Sequence, residues 1–131
     1  MTREQLNKLH KAFGMEQEDV HTLRRKNKNT QEWSEVPVIL KSGINKIERG
    51  LNCDVVLLVV TSTPQHSCVL ATVVMQDGKS YQAIGSANEG NFKFTTYYAE
   101  QAEKRARSRA ILKAADVDAL SEDEVDLTDT P

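Results

Sequence analysis

Three runs rich in β-branched residues, CDVVLLVVTS, SCVLATVVMQ and KSYQAIGS, follow one another with only the turn chemistry of TPQH and of Asp77-Gly78 between them. Runs this short do not make stable helices, and connections this short join antiparallel neighbours. The chain is therefore expected to contain a three-stranded antiparallel β-meander. Asp77-Gly78 predicts a type I′ turn, with positive φ at both central residues. Cys53 and Cys68 open successive strands at non-facing ends, so no disulfide is expected between them.

Helical signals flank the strands. Thr2 and Gln5 form a capping box, Leu6, Leu9 and Phe13 share one face, and Gly14 stops the helix. Residues 15–35 are polar and irregular, apart from a possible turn near Val20 and Leu23. They read as a loop or basic arm carrying Arg24, Arg25, Lys26 and Lys28. Pro37 suits a first helical turn, and Leu40, Ile44, Ile47 and Leu51 recur at spacings of four, three and four, with Gly50 as the break. Gly85, Asn88, Gly90 and Asn91 make a loop before YYAEQAEKRARSRAILKAA, a long helix that Thr96 can cap. The expected class is α+β: N-terminal helices, the meander, a long C-terminal helix packed on the sheet, and an acidic disordered tail. The segments are 1–35 (helix and basic arm), 36–117 (core) and 118–131 (tail).

Charge is distributed unevenly. The formal net charge is -2, yet seven of the 19 acids lie after residue 115, leaving 12 acids against 17 Lys and Arg before that point, a formal +5. A basic body suits a polyanion. The tail either recruits a protein partner or only aids solubility.

Along the last helix, Ala99, Ala102, Ala106, Ala110, Ala114 and Val117 fall on one stripe, the side expected to lie on the sheet. Glu100 precedes Lys104 by four residues and Glu103 precedes Arg107, the favoured order for helical ion pairs. Arg105, Arg109 and Lys113 form a separate ridge with no acid four residues before any of them. A repeat of about 6 Å along a helix approximates the phosphate spacing of a single strand. The ridge is either a solvated charge run or a phosphate-binding surface. Ile111 and Leu112 point away from the Ala stripe, which calls for cover from another helix or a neighbouring subunit. Phe92, Phe94, Tyr97 and Tyr98, four of the chain's seven aromatics, surround Lys93 just ahead of the ridge. They either close the core or offer stacking platforms for unpaired bases, with Tyr97 the exposed candidate.

No GxxxxGK[ST] loop occurs, so ATP-driven motor chemistry is excluded, and no CxxC, HExxH or GxSxG supports metal or nucleophile chemistry. Asp54 with Asp77 and Lys79 matches the spacing of a Mg²⁺-dependent nuclease, but Asp-Gly is already explained by turn geometry. The longest apolar run, Val55 to Val60, is too short to span a bilayer, and the N-terminus lacks an apolar signal core.

The strands, the Gly and Asn loop, YYAEQAEKRARSRAILKAADV and the preceding VPVILKSGINKIERG together resemble the Rad fifty-two type of single-strand annealing proteins, particularly small phage and prophage relatives. The resemblance covers about residues 36 to 117 and rests mostly on one helix. It implies an oligomeric ring or filament that anneals complementary single strands without ATP, with no cofactor, no metal and no catalytic residue. It matches the family's Lys-Arg-Ala step to Lys104, Arg105 and Ala106, the trailing base to Arg107 or Arg109, and a hairpin base to Lys79. The hairpin departs from the family in lacking other positive charge.

The expected ligand is single-stranded DNA, held by Arg105 and Arg109 with Lys104, Arg107, Lys113, Lys79, Lys93, Tyr97 and the Arg24 to Lys28 cluster in support. The expected setting is recombination and repair in the cytoplasm of a bacterial or phage-infected cell, with a homo-oligomer and no membrane. The strand and helix order also fits a double-stranded RNA-binding domain, although TTYYAEQAE lacks the Lys pair such domains place at the start of the last helix. A protein-interaction module and a small nuclease are the other readings.

Overall fold

The computed structural model describes residues 1–91 and 97–125, and shows an α+β protein with three helices and two three-stranded sheets. The chain divides into two compact units: Met1–Gly50 joined by the segment from Ala119 onward, and Leu51–Asp118. The expected boundary between residues 35 and 36 falls inside a strand.

In the first unit, helix α1 (Arg3–Phe13) starts at the capping box, where Thr2 Oγ1 accepts from the Gln5 amide at 3.1 Å and Gln5 Oε1 accepts from the Thr2 amide at 2.8 Å. It ends at Gly14, whose φ of 73° is the left-handed conformation a helix C-terminus asks for. The segment expected to be irregular instead holds strands β1 (Val20–Lys26) and β2 (Trp33–Ile39), an antiparallel hairpin running from Val20 opposite Ile39 to Lys26 opposite Trp33. Pro37 therefore lies in a strand, opposite Thr22, and does not open a helix. Strand β6 (Leu120–Ser121) joins β2 in parallel only at Val38 and Ile39, so β2 is still an edge at Pro37, where a missing N–H costs no ladder bond.

Helix α2 (Lys41–Leu51) comes directly after β2. Gly50 is not its break: a Cβ there would sit 2.5 Å from Phe13 Cδ1, and the left-handed residue is Asn52, at φ 51°. The acidic tail is likewise not disordered from residue 118. Glu122 accepts a hydrogen bond from the Lys41 amide, placing a carboxylate at the positive end of α2, and Glu122–Glu124 form a 3-10 turn.

Leu9, Met15, Leu23, Val38, Ile39, Ile44 and Ile47 are the buried apolar side chains of this unit. Asp19 is buried with them at 2% exposure and fully engaged. Its carboxylate accepts from Ser42 Oγ at 2.6 Å, Lys46 Nζ at 2.7 Å and the Glu16 amide at 2.8 Å, tying the turn before β1 to α2.

In the second unit, β3 (Asp54–Ser62), β4 (His66–Val74) and β5 (Ser80–Asn88) form an antiparallel sheet in sequence order. The β4–β5 turn is not type I′, because positive φ occurs at Gly78 (88°) and not at Asp77. The Gly78 amide donates to Met75 O, and Asp77 Oδ1 accepts from the Lys79 amide at 2.9 Å, so one left-handed Gly and an Asp side chain set the turn.

Helix α3 (Tyr98–Ala114) packs on β4 and β5. Ser67, Val69, Ala71 and Val73 of β4 are all buried on one face, and Ala102, Ala106 and Ala110 of α3 are fully buried. The approach is close enough that a Cβ on Gly85 would lie 2.5 Å from Ala102 O, and nearer still to the Ala106 amide nitrogen. Of the expected stripe, Ala99 is exposed and Ala114 half-buried. Ile111 and Leu112 are buried, so they do not require a neighbouring subunit. Both cysteines are free thiols. Thr96, Phe92, Lys93 and Phe94 lie outside the described residues.

Two features lend themselves to stability measurements. Gly85→Ala drives a methyl into helix backbone that cannot move aside, and denaturant titration is expected to show a loss of about 3 kcal/mol. Burial pushes the Asp19 carboxyl up, but the Glu16 amide, the Lys46 and Ser42 hydrogen bonds and the Lys46 charge together hold it below its ordinary value of 3.8. Its contribution is therefore present in full above that value and is lost as pH falls through the lower folded value. Unfolding curves between pH 6 and pH 2 are expected to show this acid loss in the wild type, and a flatter profile in Asp19→Asn.

Candidate nucleic-acid interface

The ridge of bases on α3 meets the outer edge of β5. Arg105 Nη1 donates to Ser86 O at 2.8 Å, Arg109 Nη1 to Ile84 O at 2.7 Å and Lys113 Nζ to Gln82 O at 3.1 Å. The match is geometric: four helical residues advance about 6 Å and two strand residues about 6.7 Å, so successive bases reach successive outward carbonyls. Arg105 also donates to Asn91 Oδ1 at 3.0 Å and, through Nη2, to Asn91 O at 2.9 Å, and only 7% of the residue is exposed. The three side chains fasten the helix to the sheet and cover the carbonyls of an edge strand. The expectation that they are available to an outside anion is thereby corrected: Arg105 is committed to the fold, and Arg109 and Lys113, although exposed, are bonded to β5.

The other expected positions divide between the units. Lys104 is exposed and Arg107 half-buried on α3, while Tyr97 is 66% exposed and Tyr98 is buried. Lys79 is exposed beside the β4–β5 turn, and Lys93 is outside the described residues. Asp77 serves the turn through Lys79, and among the described residues no three His, Cys, Asp or Glu side chains gather as a metal site.

Arg24, Arg25, Lys26 and Lys28 belong to the first unit and stand on a built hairpin. Every residue from Arg24 to Glu35 is exposed, the last buried side chain before it being Leu23, so this end of the ribbon has no apolar packing on either face. The turn is held by Asn27, whose Oδ1 accepts from the Asn29 amide at 2.9 Å and whose carbonyl accepts from the Gln31 amide at 2.8 Å. Gln31 takes a left-handed φ of 62°.

On one side of this ribbon sits Trp33, a residue that no sequence motif singles out. Lys26 is its cross-strand partner and Arg24 lies two residues along the same face. Arg24 Cζ is 5.5 Å and Lys26 Nζ 5.9 Å from the indole centroid, both within cation–π range, and Trp33 remains 47% exposed. Arg25 falls on the opposite face and Lys28 in the turn. An exposed indole with two cations beside it can stack on an unpaired base while the cations meet its phosphates. The signal in the sequence is Trp33 seven residues after Lys26, legible only once β1 and β2 are paired.

No family model matches this chain, and no curated protein matches it. Among the described residues no helix is long and apolar enough to cross a membrane.

The division of the bases is testable by stability. Arg105→Ala removes a buried fork and exposes its carbonyl partners, with an expected cost of about 2 to 3 kcal/mol in denaturant titration. Arg105→Lys is expected to recover only part of it, because a single ammonium cannot reproduce the fork. Lys104→Ala is expected to stay within about 0.5 kcal/mol of wild type.

Proposed function

We propose that the chain binds single-stranded DNA and, as an oligomer and without ATP, promotes annealing of complementary strands in recombination and repair. The observation that carries the binding reading is the exposed Trp33 with Arg24 and Lys26 both against its ring, at the solvent-exposed end of the hairpin. Bases stack on the indole, phosphates pass Arg24, Lys26 and the neighbouring Arg25 and Lys28, and duplex DNA, whose bases are already stacked, gains only the ionic part. Annealing and its setting in phage or prophage recombination rest on the resemblance of residues 36 to 117 to Rad fifty-two type proteins. In this reading Lys104 and Lys79 contribute secondary phosphate contacts, Arg109 and Lys113 act on DNA only through their exposed atoms, and the last acidic residues meet a protein partner. The compartment is the cytoplasm of the bacterial or infected cell.

Because Trp33 is the only tryptophan, its emission reports on the site directly. Titration with a short single-stranded oligonucleotide is expected to quench it, and a matched duplex to bind more weakly. Trp33→Ala is expected to weaken binding, read by anisotropy of a labelled oligonucleotide, by about 1 to 3 kcal/mol. Lys26→Ala is expected to lower the slope of log K against log salt by about 0.7. Unchanged emission at saturating oligonucleotide overturns the assignment.

A further inference from the structure

The face of the β3–β5 sheet away from α3 is apolar and uncovered. Val56 is 59% exposed, Leu58 60%, Val60 56% and Ile84 54%. The pairing register makes Val56, Leu58 and Ile84 one surface, with Leu58, Leu70 and Ile84 side by side across the three strands, and Val60 lies at the β-bulge beyond Leu58. Beside that row run Val56, Thr72 and Gln82, with Gln82 Nε2 donating to Thr72 Oγ1 at 3.1 Å, so the two polar side chains of the row are joined to each other.

We infer that this face packs against the same face of a second copy, the two sheets stacking about a two-fold axis near Leu70. Charge selects the occupant. β3, β4 and β5 contain no Lys or Arg, their one acid is Asp54 at the end of its strand, and His66 lies at the far end of β4, so the face has no permanent cation to hold a polyanion. Area agrees. The exposed side chains amount to on the order of 400 Å² of apolar surface, as large as the biggest patch a monomer ordinarily shows. Two such faces at the usual sheet spacing of about 10 Å would bury about 800 Å², close to the apolar share of a dimer interface of about 1,600 Å² in total.

The β5 edge is closed to growth by strand addition. Arg105, Arg109 and Lys113 occupy the outward carbonyls of β5, so a second sheet cannot add a strand there without displacing them. A two-fold contact through the faces uses the same surface twice and leaves both β5 edges untouched. The inference gives the proposed oligomer its contact surface and needs none of the nucleic-acid chemistry.

Sedimentation velocity of the full chain over a concentration series tests it, with Leu58→Glu and, as a milder variant that keeps strand propensity, Leu58→Thr. The wild type is expected to sediment as a dimer at micromolar concentration. Leu58→Glu is expected to be a monomer with an unchanged circular dichroism spectrum, and Leu58→Thr to weaken the dimer about tenfold or more. Trp33 quenching by a short oligonucleotide is expected to persist in both, which separates failure of the dimer from failure of the binding reading. A wild type that remains monomeric overturns the inference, as does one that is monomeric but cosediments with phosphatidylcholine vesicles through Leu58, which would give the face a lipid occupant. A dimer that survives both substitutions at Leu58 also overturns it.

Discussion

The second unit depends on the seam between α3 and β5, where two requirements are met by one spacing. Small residues bring the backbones together: Gly85 lies against Ala102 and Ala106, so close that no Cβ fits on the strand. Long basic residues one ridge over then reach around to Ser86, Ile84 and Gln82, whose carbonyls would otherwise be an open edge. Neither half works alone. A helix held further out by larger side chains would carry its guanidinium groups past those carbonyls, and an uncovered β5 would invite a foreign strand.

That seam changes what the charge on α3 means. A net positive body and a ridge with no acid one turn before it are sound grounds for expecting polyanion binding, and Arg105 stands at the head of that ridge. Its burial and its hydrogen bonds to two backbone carbonyls and the Asn91 side chain show a cation put to structural use, an arrangement that leaves no signature in the i,i+4 pattern of acids. The bases with the least structural duty are those of the β1–β2 ribbon, which stand in solvent with an indole among them. A solvent-exposed aromatic on a ribbon without apolar packing contributes little to folding, so the hairpin's composition is better accounted for by a ligand than by stability.

What could be read from the sequence was whatever local chemistry decides. Thr2, Gln5 and Gly14 specify α1 within their own few residues, and the β-branched runs lie in β3, β4 and β5. What failed depends on distant partners. Residues 33–39 become a strand because all seven pair with β1, which outweighs the helical appearance of Pro37, and Val38 and Ile39 also pair with β6, more than 80 positions away; the apolar spacing that follows does form α2. Leu120 and Ser121 were hidden by the acids around them. Asp77-Gly78 was rightly a turn but of another type, since three loop residues with a left-handed Gly match the strand twist as well as two do. At the candidate site, the basic cluster was visible and Trp33 was not, because their adjacency exists only across the hairpin.

The central claim is a division of labour: bases on α3 hold the fold and the ribbon holds the ligand. Amide hydrogen exchange with and without a saturating single-stranded oligonucleotide tests it most directly. New protection is expected between Arg24 and Trp33, with the amides of β5 and residues 105–113 unchanged. Protection gained along residues 105–113 while the ribbon exchanges as before would contradict it.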